Sequence, residues 1–195
     1  AVANRVYYTN GVELGCVQDG AHRTWGITPP TGFIAAATGG DLQAGKYQVA
    51  VTYIRDDGQE SGAARASVVE VGAAGGISLT NLPVSTDPTV DSKRIYVSPT
   101  NGETMFLVGI VGNNVTTFAI REQRIGAAPL TTQFLLPPPA GDHIAHFNGL
   151  MLVASGDRLY PSETYAPELF DFRKAVPFLD KITMIAPMDD GVWIG

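Results

Sequence analysis

Between Gly45 and Arg55 apolar and polar residues alternate: Tyr47, Val49, Val51 and Tyr53 stand between Lys46, Gln48, Ala50 and Thr52. A period of two predicts a strand with one face in a core and the other facing water. The run breaks at Asp56-Asp57-Gly58, where aspartates can bond nearby amides and glycine accepts positive φ. Further strands are predicted over 66–71, 77–80, 94–98, 104–110 and 115–120, with a weaker first one over 33–37. The turns between them include Gly72-Ala73-Ala74-Gly75-Gly76, Pro99-Thr100-Asn101-Gly102 and Gly112-Asn113-Asn114, rich in residues that tolerate left-handed geometry. Six or seven short strands in roughly 100 residues is the spacing of a small β-sandwich, two sheets burying their alternate faces against each other.

Pro137-Pro138-Pro139 then makes a stiff, extended connector. Beyond it, short strands are predicted over 144–147, 150–154, 157–162, 182–186 and 192–194, joined by Asn148-Gly149, Ser155-Gly156-Asp157 and Met188-Asp189-Asp190-Gly191. The first and last of these turns suit two-residue hairpins, because Asn or Asp before Gly supplies two positive-φ positions. Pro167 to Phe172 reads equally as one or two helical turns opened by proline, or as an irregular loop. Helix content should be very low.

The expected organisation is therefore an N-terminal β segment over 1–26, a sandwich over 27–136 and a C-terminal β segment over 137–195. Asn4-Arg5-Val6-Tyr7-Tyr8-Thr9 aligns with Asp157-Arg158-Leu159-Tyr160-Pro161-Ser162, at a separation of 158 − 5 = 153 positions. Either both are the same strand in two similar sheets with the sandwich inserted between them, or Arg-apolar-Tyr is a generic strand pattern, as at Arg94-Ile95-Tyr96. The start at Ala1 without methionine, and the end on the strand-like Val192-Trp193-Ile194-Gly195, suggest a piece of a longer polypeptide.

Charge narrows the partners. Thirteen Lys and Arg against 19 Asp and Glu leave a net charge of −6, the wrong sign for gripping nucleic-acid phosphates. With 45% hydrophobic residues the chain can still fill a core, which excludes a disordered acidic tail. The longest apolar runs, such as Leu150 to Ala154, fall far short of the roughly 20 residues that span a bilayer as a helix. A single cysteine, Cys16, forms no intrachain disulfide and reads as a small apolar residue.

Candidate chemistry is thin. His143 and His146 stand three apart on a predicted strand, so they point to opposite faces and cannot share a metal without a bend. Cys16 has His22 nearby in sequence, but nothing suggests a lowered thiol pKa. Ser155-Gly156 lacks the glycine two residues before serine that a nucleophile elbow needs, and Gly72 to Gly76 lacks the Lys-Ser/Thr of a phosphate loop. Asp56, Asp57 and Glu60, or Asp87 and Asp91, lack the ligand series of a calcium loop and read as solvated loop acids. Glu163 and Glu168 would do glycosidase work only if the fold set them across a sugar cleft. No catalytic, cofactor-binding or metal residue is predicted, and a structural or binding role is expected over an enzymatic one. Trp25 and Trp193 read as core residues, with sugar stacking as the alternative.

Three segments together resemble structural proteins of tailed bacteriophages, in particular the hub or nozzle of short tails. They are Arg5 to Gly11 leading to Trp25-Gly26-Ile27; Gly45-Lys46-Tyr47 through Gly58-Gln59-Glu60-Ser61-Gly62 with Lys93 to Tyr96; and His146 to Ala154 with Ile182 to Gly195. The resemblance implies an all-β chain in which a sandwich similar to fibronectin type III modules interrupts β-propeller-like segments, although no tryptophan stands in the early sandwich strands. It further implies a virion protein, a homo-oligomer meeting portal, adaptor or tail subunits, forming a ring or tube whose acidic wall lets DNA pass without specific binding. The contrasting expectation is a secreted or surface adhesion or carbohydrate-binding module.

Overall fold

The computed structural model describes residues 4–122, 126 and 128–195. The first three positions of the expected N-terminal segment and four of the expected sandwich lie outside it. The chain is all-β, with several antiparallel sheets and, among the described residues, no α-helix. It divides into two compact units, Ala1–Thr28 with Leu135–Gly195, and Pro29–Phe134. Pro137 to Pro139 belong to the first unit, just after the chain re-enters it.

The first unit opens with the antiparallel ribbon β1 (Arg5–Thr9), β2 (Leu14–Gln18) and β3 (Ala21–Arg23). Among its described residues the second unit carries seven strands: β4 (Ile34–Leu42), β5 (Gly45–Arg55), β6 (Ser67–Val71), β7 (Gly75–Thr80), β8 (Val90–Val97), β9 (Phe106–Gly112) and β10 (Phe118–Ile120). Back in the first unit follow β11 (His143–Phe147), β12 (Leu150–Ser155), β13 (Arg158–Glu163) and β14 (Ala166–Phe170), a four-stranded meander, with β15 (Val176–Pro177) paired to β13. The hairpin β16 (Ile185–Met188) and β17 (Gly191–Ile194) comes last.

In the second unit β10-β7-β4 form one sheet and β6-β5-β8-β9 the other. Between them lie twelve buried side chains, among them Tyr47, Val49 and Val51 of β5, Ile77 and Leu79 of β7, and Ile95 and Val97 of β8. These are the positions that the alternation assigns to the core, and burying each Val, Ile or Leu fully contributes about 1.5–3 kcal/mol. The other face of β5 departs from the expectation: Ala50 and Thr52 are buried, not wet. The loop after the Asp56-Asp57-Gly58 turn folds back over this face, with Ala63 joining Ala50, Tyr96 and Met105 in a second cluster. Residues 128–134 stitch the cover down, since Ala63 N donates to Thr132 O at 2.9 Å, Phe134 N to Ala63 O at 2.8 Å and Leu130 N to Met105 O at 2.8 Å.

In the first unit the core is smaller and more aromatic: Tyr7, Cys16, Trp25, Met151, Val153 and Phe170. The Trp25 ring lies 4.9 Å from Tyr7 and 6.2 Å from Phe170, centroid to centroid, and its Nε1 donates to Pro167 O at 2.8 Å. Gly26 follows at φ +85°, where a Cβ would stand 2.8 Å from Glu168 O, so the bend after the tryptophan requires glycine. Pro167 to Phe170, weighed as helix or loop, is strand β14, and only Phe172–Lys174 makes a single 3-10 turn. Phe170 N donates to Leu136 O and Leu136 N to Phe170 O, so this edge of β14 is bonded in extended form.

The turns divide by chemistry. Asn148 and Gly149 both take positive φ, at 47° and 77°, as a two-residue Asn-Gly hairpin demands. Asp189-Asp190 also form a two-residue loop, but Gly191 is already strand, paired with Met188, and the expected positive-φ Asp-Gly pair does not form. The suggested repeat is likewise redrawn. Arg5 opens the first strand of its ribbon whereas Arg158 opens the third strand of its own, so the shared pattern marks half-buried strands in general. In the sequence an Asn-Gly or Asp-Gly pair stands near the first connection of each ribbon, at Asn10-Gly11, Asn148-Gly149 and Asp190-Gly191, but only Asn148-Gly149 is a two-residue turn with both φ positive. The strands before these pairs are neighbours in space, because β11 touches both β1 and β16.

Candidate functional site

Of the residues weighed for chemistry, the fold brings few together. Cys16 is buried and pairs across β2 and β3 with Arg23, while His22 pairs with Val17. Adjacent positions on a strand face opposite ways, so the thiol and the imidazole lie on opposite faces. His22 Nε2 instead meets the Tyr8 hydroxyl at the surface. His143 and His146 sit three apart on β11, also on opposite faces. Glu163 holds Lys174 at 2.5 Å. Among the described residues no group of three or more His, Cys, Asp or Glu is placed to hold a metal ion.

Of the loop acids predicted to be solvated, Asp56, Asp57 and Asp91 are exposed, whereas Glu60 and Asp87 are drawn into hydrogen-bonded clusters. Glu60 turns onto the outer face of the β6-β5-β8-β9 sheet, where Oε1 accepts from Thr52 Oγ1 and from the Tyr96 hydroxyl, each at 2.6 Å. Its Oε2 accepts from Arg94 Nη1 at 2.6 Å. Burial, and then the hydrogen bond to the Glu60 carboxylate, push the Tyr96 phenol up from its ordinary pKa. Asp87 accepts from Thr89 N at 2.9 Å and Thr89 Oγ1 at 2.6 Å through Oδ1, and from Arg55 Nη2 at 3.0 Å through Oδ2. Arg55 is itself buried, and its Nη1 donates to Gln59 Oε1 at 2.8 Å. Lys93 enters the sandwich from β8 and donates to Val115 O at 2.7 Å; desolvation lowers its pKa.

These groups have the burial that functional residues often show, but their geometry is that of clamps. Every oxygen of Glu60 and Asp87 faces donors from its own unit, and what those bonds accomplish is to hold the 57–63 and 85–89 loops against the sheets. The sequence pattern missed them, because a loop carboxylate looks the same whether solvated or recruited; the buried Arg55 and Lys93 on strands were the available signal.

The accessible features are of another kind. A groove of about 220 Å³ runs between β1 and β11, lined by Arg5, Val6, Tyr7, Ile144, His146 and Met151 among others. Arg5 Nε already donates to Gln18 Oε1 at 3.0 Å. In the first unit Tyr165, Leu179 and Trp193 stand 85%, 97% and 68% exposed, with Val176, Met184 and Met188 about half exposed. Trp25 is core as expected, and Trp193 is not. In the second unit the edge of β4 is bare over Ala36 to Gly39. No protein-family model matches the chain, and a search of curated proteins returned no match. Among the described residues no helix is long and apolar enough to cross a membrane.

Proposed function

We propose that this chain is a structural subunit of a tailed-bacteriophage virion, part of a short-tail hub or nozzle that assembles as a ring or tube for DNA passage, and that it works by assembly, not catalysis. The observation that carries this reading is the arrangement of the first unit. Three antiparallel ribbons have first strands that touch, β11 meeting both β1 and β16, and an Asn-Gly or Asp-Gly pair follows each of those strands, with Gly149 and Gly191 standing 42 positions apart. A four-stranded propeller blade occupies about 40–45 residues, and in a propeller successive sheets are set radially around a channel. On this reading β11 to β14 is a blade, β1 to β3 and β16 to β17 belong to its neighbours, and the three form an arc.

The second unit supports the inserted sandwich. The orders β10-β7-β4 and β6-β5-β8-β9 support it, because β4 and β7 can be read as strands B and E, and β5, β8 and β9 as C, F and G, of an immunoglobulin-type sandwich. β6 extends the C edge, as in modules of the fibronectin type III kind. β10, last in sequence, takes the D place beside E, and the place of strand A is empty. A net charge of −6 suits a conduit wall that phosphates do not stick to.

Negative-stain imaging of the purified chain at high concentration tests the reading: rings or short tubes are expected, and particles no larger than a monomer at every concentration refute it. The second reading, a carbohydrate-binding module, draws on exposed Trp193. It predicts glycan-array binding by the monomer that Trp193→Ala abolishes.

A further inference from the structure

We propose that the groove between β1 and β11 receives the hairpin tip Met188-Asp189-Asp190-Gly191 of a second copy of this chain, with the two carboxylates against Arg5 and His146. The groove, about 220 Å³, lies wholly within the first unit. Positions two apart on a strand share a face, so Arg5 and Tyr7 reach it from one face of β1, and Ile144 and His146 from one face of β11. The buried Tyr7 and Met151 form its floor and the exposed Val6 its rim. Among the described residues that line it are one guanidinium and one imidazole but no Asp or Glu; Glu168, whose charge reaches the Tyr7 phenol, is not one of them. An apolar floor beside a cation and a ring N–H suits an occupant that carries carboxylates next to an apolar side chain.

The loop between β16 and β17 has that composition. Asp189 and Asp190 are both exposed, and neither makes a hydrogen bond or ion pair with another described residue. Other acids of the first unit are already committed: Asp142 to Lys181 at 2.9 Å, Glu163 to Lys174 at 2.5 Å and Asp171 to Arg173 at 2.8 Å. The chain's other adjacent pair, Asp56-Asp57, is tied into its own turn, where Asp57 Oδ1 accepts from Gln59 N at 2.9 Å. Met188, immediately before the two acids, is more than half exposed, so the tip offers an apolar side chain to Val6, Ile144 and Met151 together with its charges.

Within one chain the tip does not line the groove, so the two surfaces meet only between copies. Groove and tip are different surfaces, and seating one copy's tip in the next copy's groove is therefore a head-to-tail contact, which generates a ring when the rotation per copy closes. The contact rests on the ring reading and names the surfaces that would join its subunits. It also places Met188 and the acidic tip, at the end of the exposed apolar stretch of the first unit, under a neighbour.

Sedimentation velocity of the full chain, with charge reversals on each surface, tests the contact. Asp189, Asp190 and His146 are exposed, so the fold should be retained, which near-ultraviolet circular dichroism checks. The wild-type chain is expected to form oligomers larger than dimers. D189K/D190K, and separately H146E, should each weaken association at least about tenfold by opposing like charges, and H146E/D189K/D190K should recover most of the loss. E70K/E103K, which alters the net charge equally at exposed positions of the second unit, should assemble like wild type. Oligomers unchanged in D189K/D190K and H146E, a triple variant no better than its parents, or an equal loss in E70K/E103K overturns the groove contact and leaves the ring reading standing. A wild-type chain that stays monomeric overturns both. Dimers alone, lost in D189K/D190K and regained in the triple variant, support the contact as a reciprocal exchange and overturn the ring.

Discussion

The two units solve the same problem with different means. The second closes twelve buried side chains between two sheets and covers a further face with its own loops, pinned by Glu60, Arg55 and Asp87. The first has a core cluster of six residues centred on Trp25, and it exposes large apolar side chains along its C-terminal stretch, Val176, Leu179, Met184, Met188 and Trp193 among them. Isolated exposed apolar residues are ordinary, and several in one stretch are where a covering surface is looked for first. The second unit thus buries both faces of its larger sheet with its own residues, whereas the first leaves an apolar stretch exposed that the proposed assembly would cover.

Substitutions can break this contrast. The largest effect should come from Trp25→Ala, which empties the centre of the first unit's core and should cost about 3–5 kcal/mol. Chemical denaturation followed by circular dichroism should then show two transitions, with the second unit's unchanged; a single shared transition would mean that the units are not independent. Glu60→Ala should cost the second unit about 2 kcal/mol, since Arg94, Tyr96 and Thr52 lose an acceptor on a largely covered face. An unshifted midpoint would reduce that clamp to decoration. Asn148→Ala should destabilise the first unit by about 1 kcal/mol through its positive φ, while Asp190→Ala, at a turn without that requirement, should change little.

The smallest effect concerns acid. Asp171 is held below the ordinary carboxylate pKa first by its hydrogen bond from Arg173, and Asp142 by the hydrogen bond from Lys181. A depressed folded-state pKa contributes stability that is present above the unfolded value, near pH 4, and is lost as pH falls through the folded values. The first unit's melting temperature should therefore drop as pH falls below about 4, and Asp171→Asn should flatten that drop while costing under about 1 kcal/mol at pH 7. A pH profile identical to wild type would remove Asp171 from the account.

How far the sequence disclosed this depends on the kind of signal. The strand positions of the sandwich were legible because Tyr47, Val49 and Val51 alternate strictly, and period-two patterns report one-sided burial well. The buried outer face was not, because Ala50 and Thr52 are acceptable on either face, and what covers them comes from loop 59–66 and from 128–134, far apart in sequence. β14 was obscured by Pro167, which suits a helix start; the tertiary bonds with Leu136 and the Trp25 Nε1 bond to Pro167 O decide for a strand. The Arg-apolar-Tyr similarity fell on different strands of the two sheets, because a half-buried strand constrains residue type loosely, whereas the Asn148-Gly149 turn was legible from its two positive-φ positions. The polar clamps that occupy Glu60 and Asp87 were not legible, since hydrogen-bond partners more than 30 residues away leave no local trace.

Amide hydrogen exchange across 176–194, compared between dilute and concentrated protein, tests the central contrast most directly. If the first unit is built to be covered by neighbours, these amides should gain protection with concentration while those of β5 and β8, already sealed in the second unit, stay as slow as before. Equal exchange of 176–194 at both concentrations, in a sample shown by sedimentation to be assembled, would contradict it.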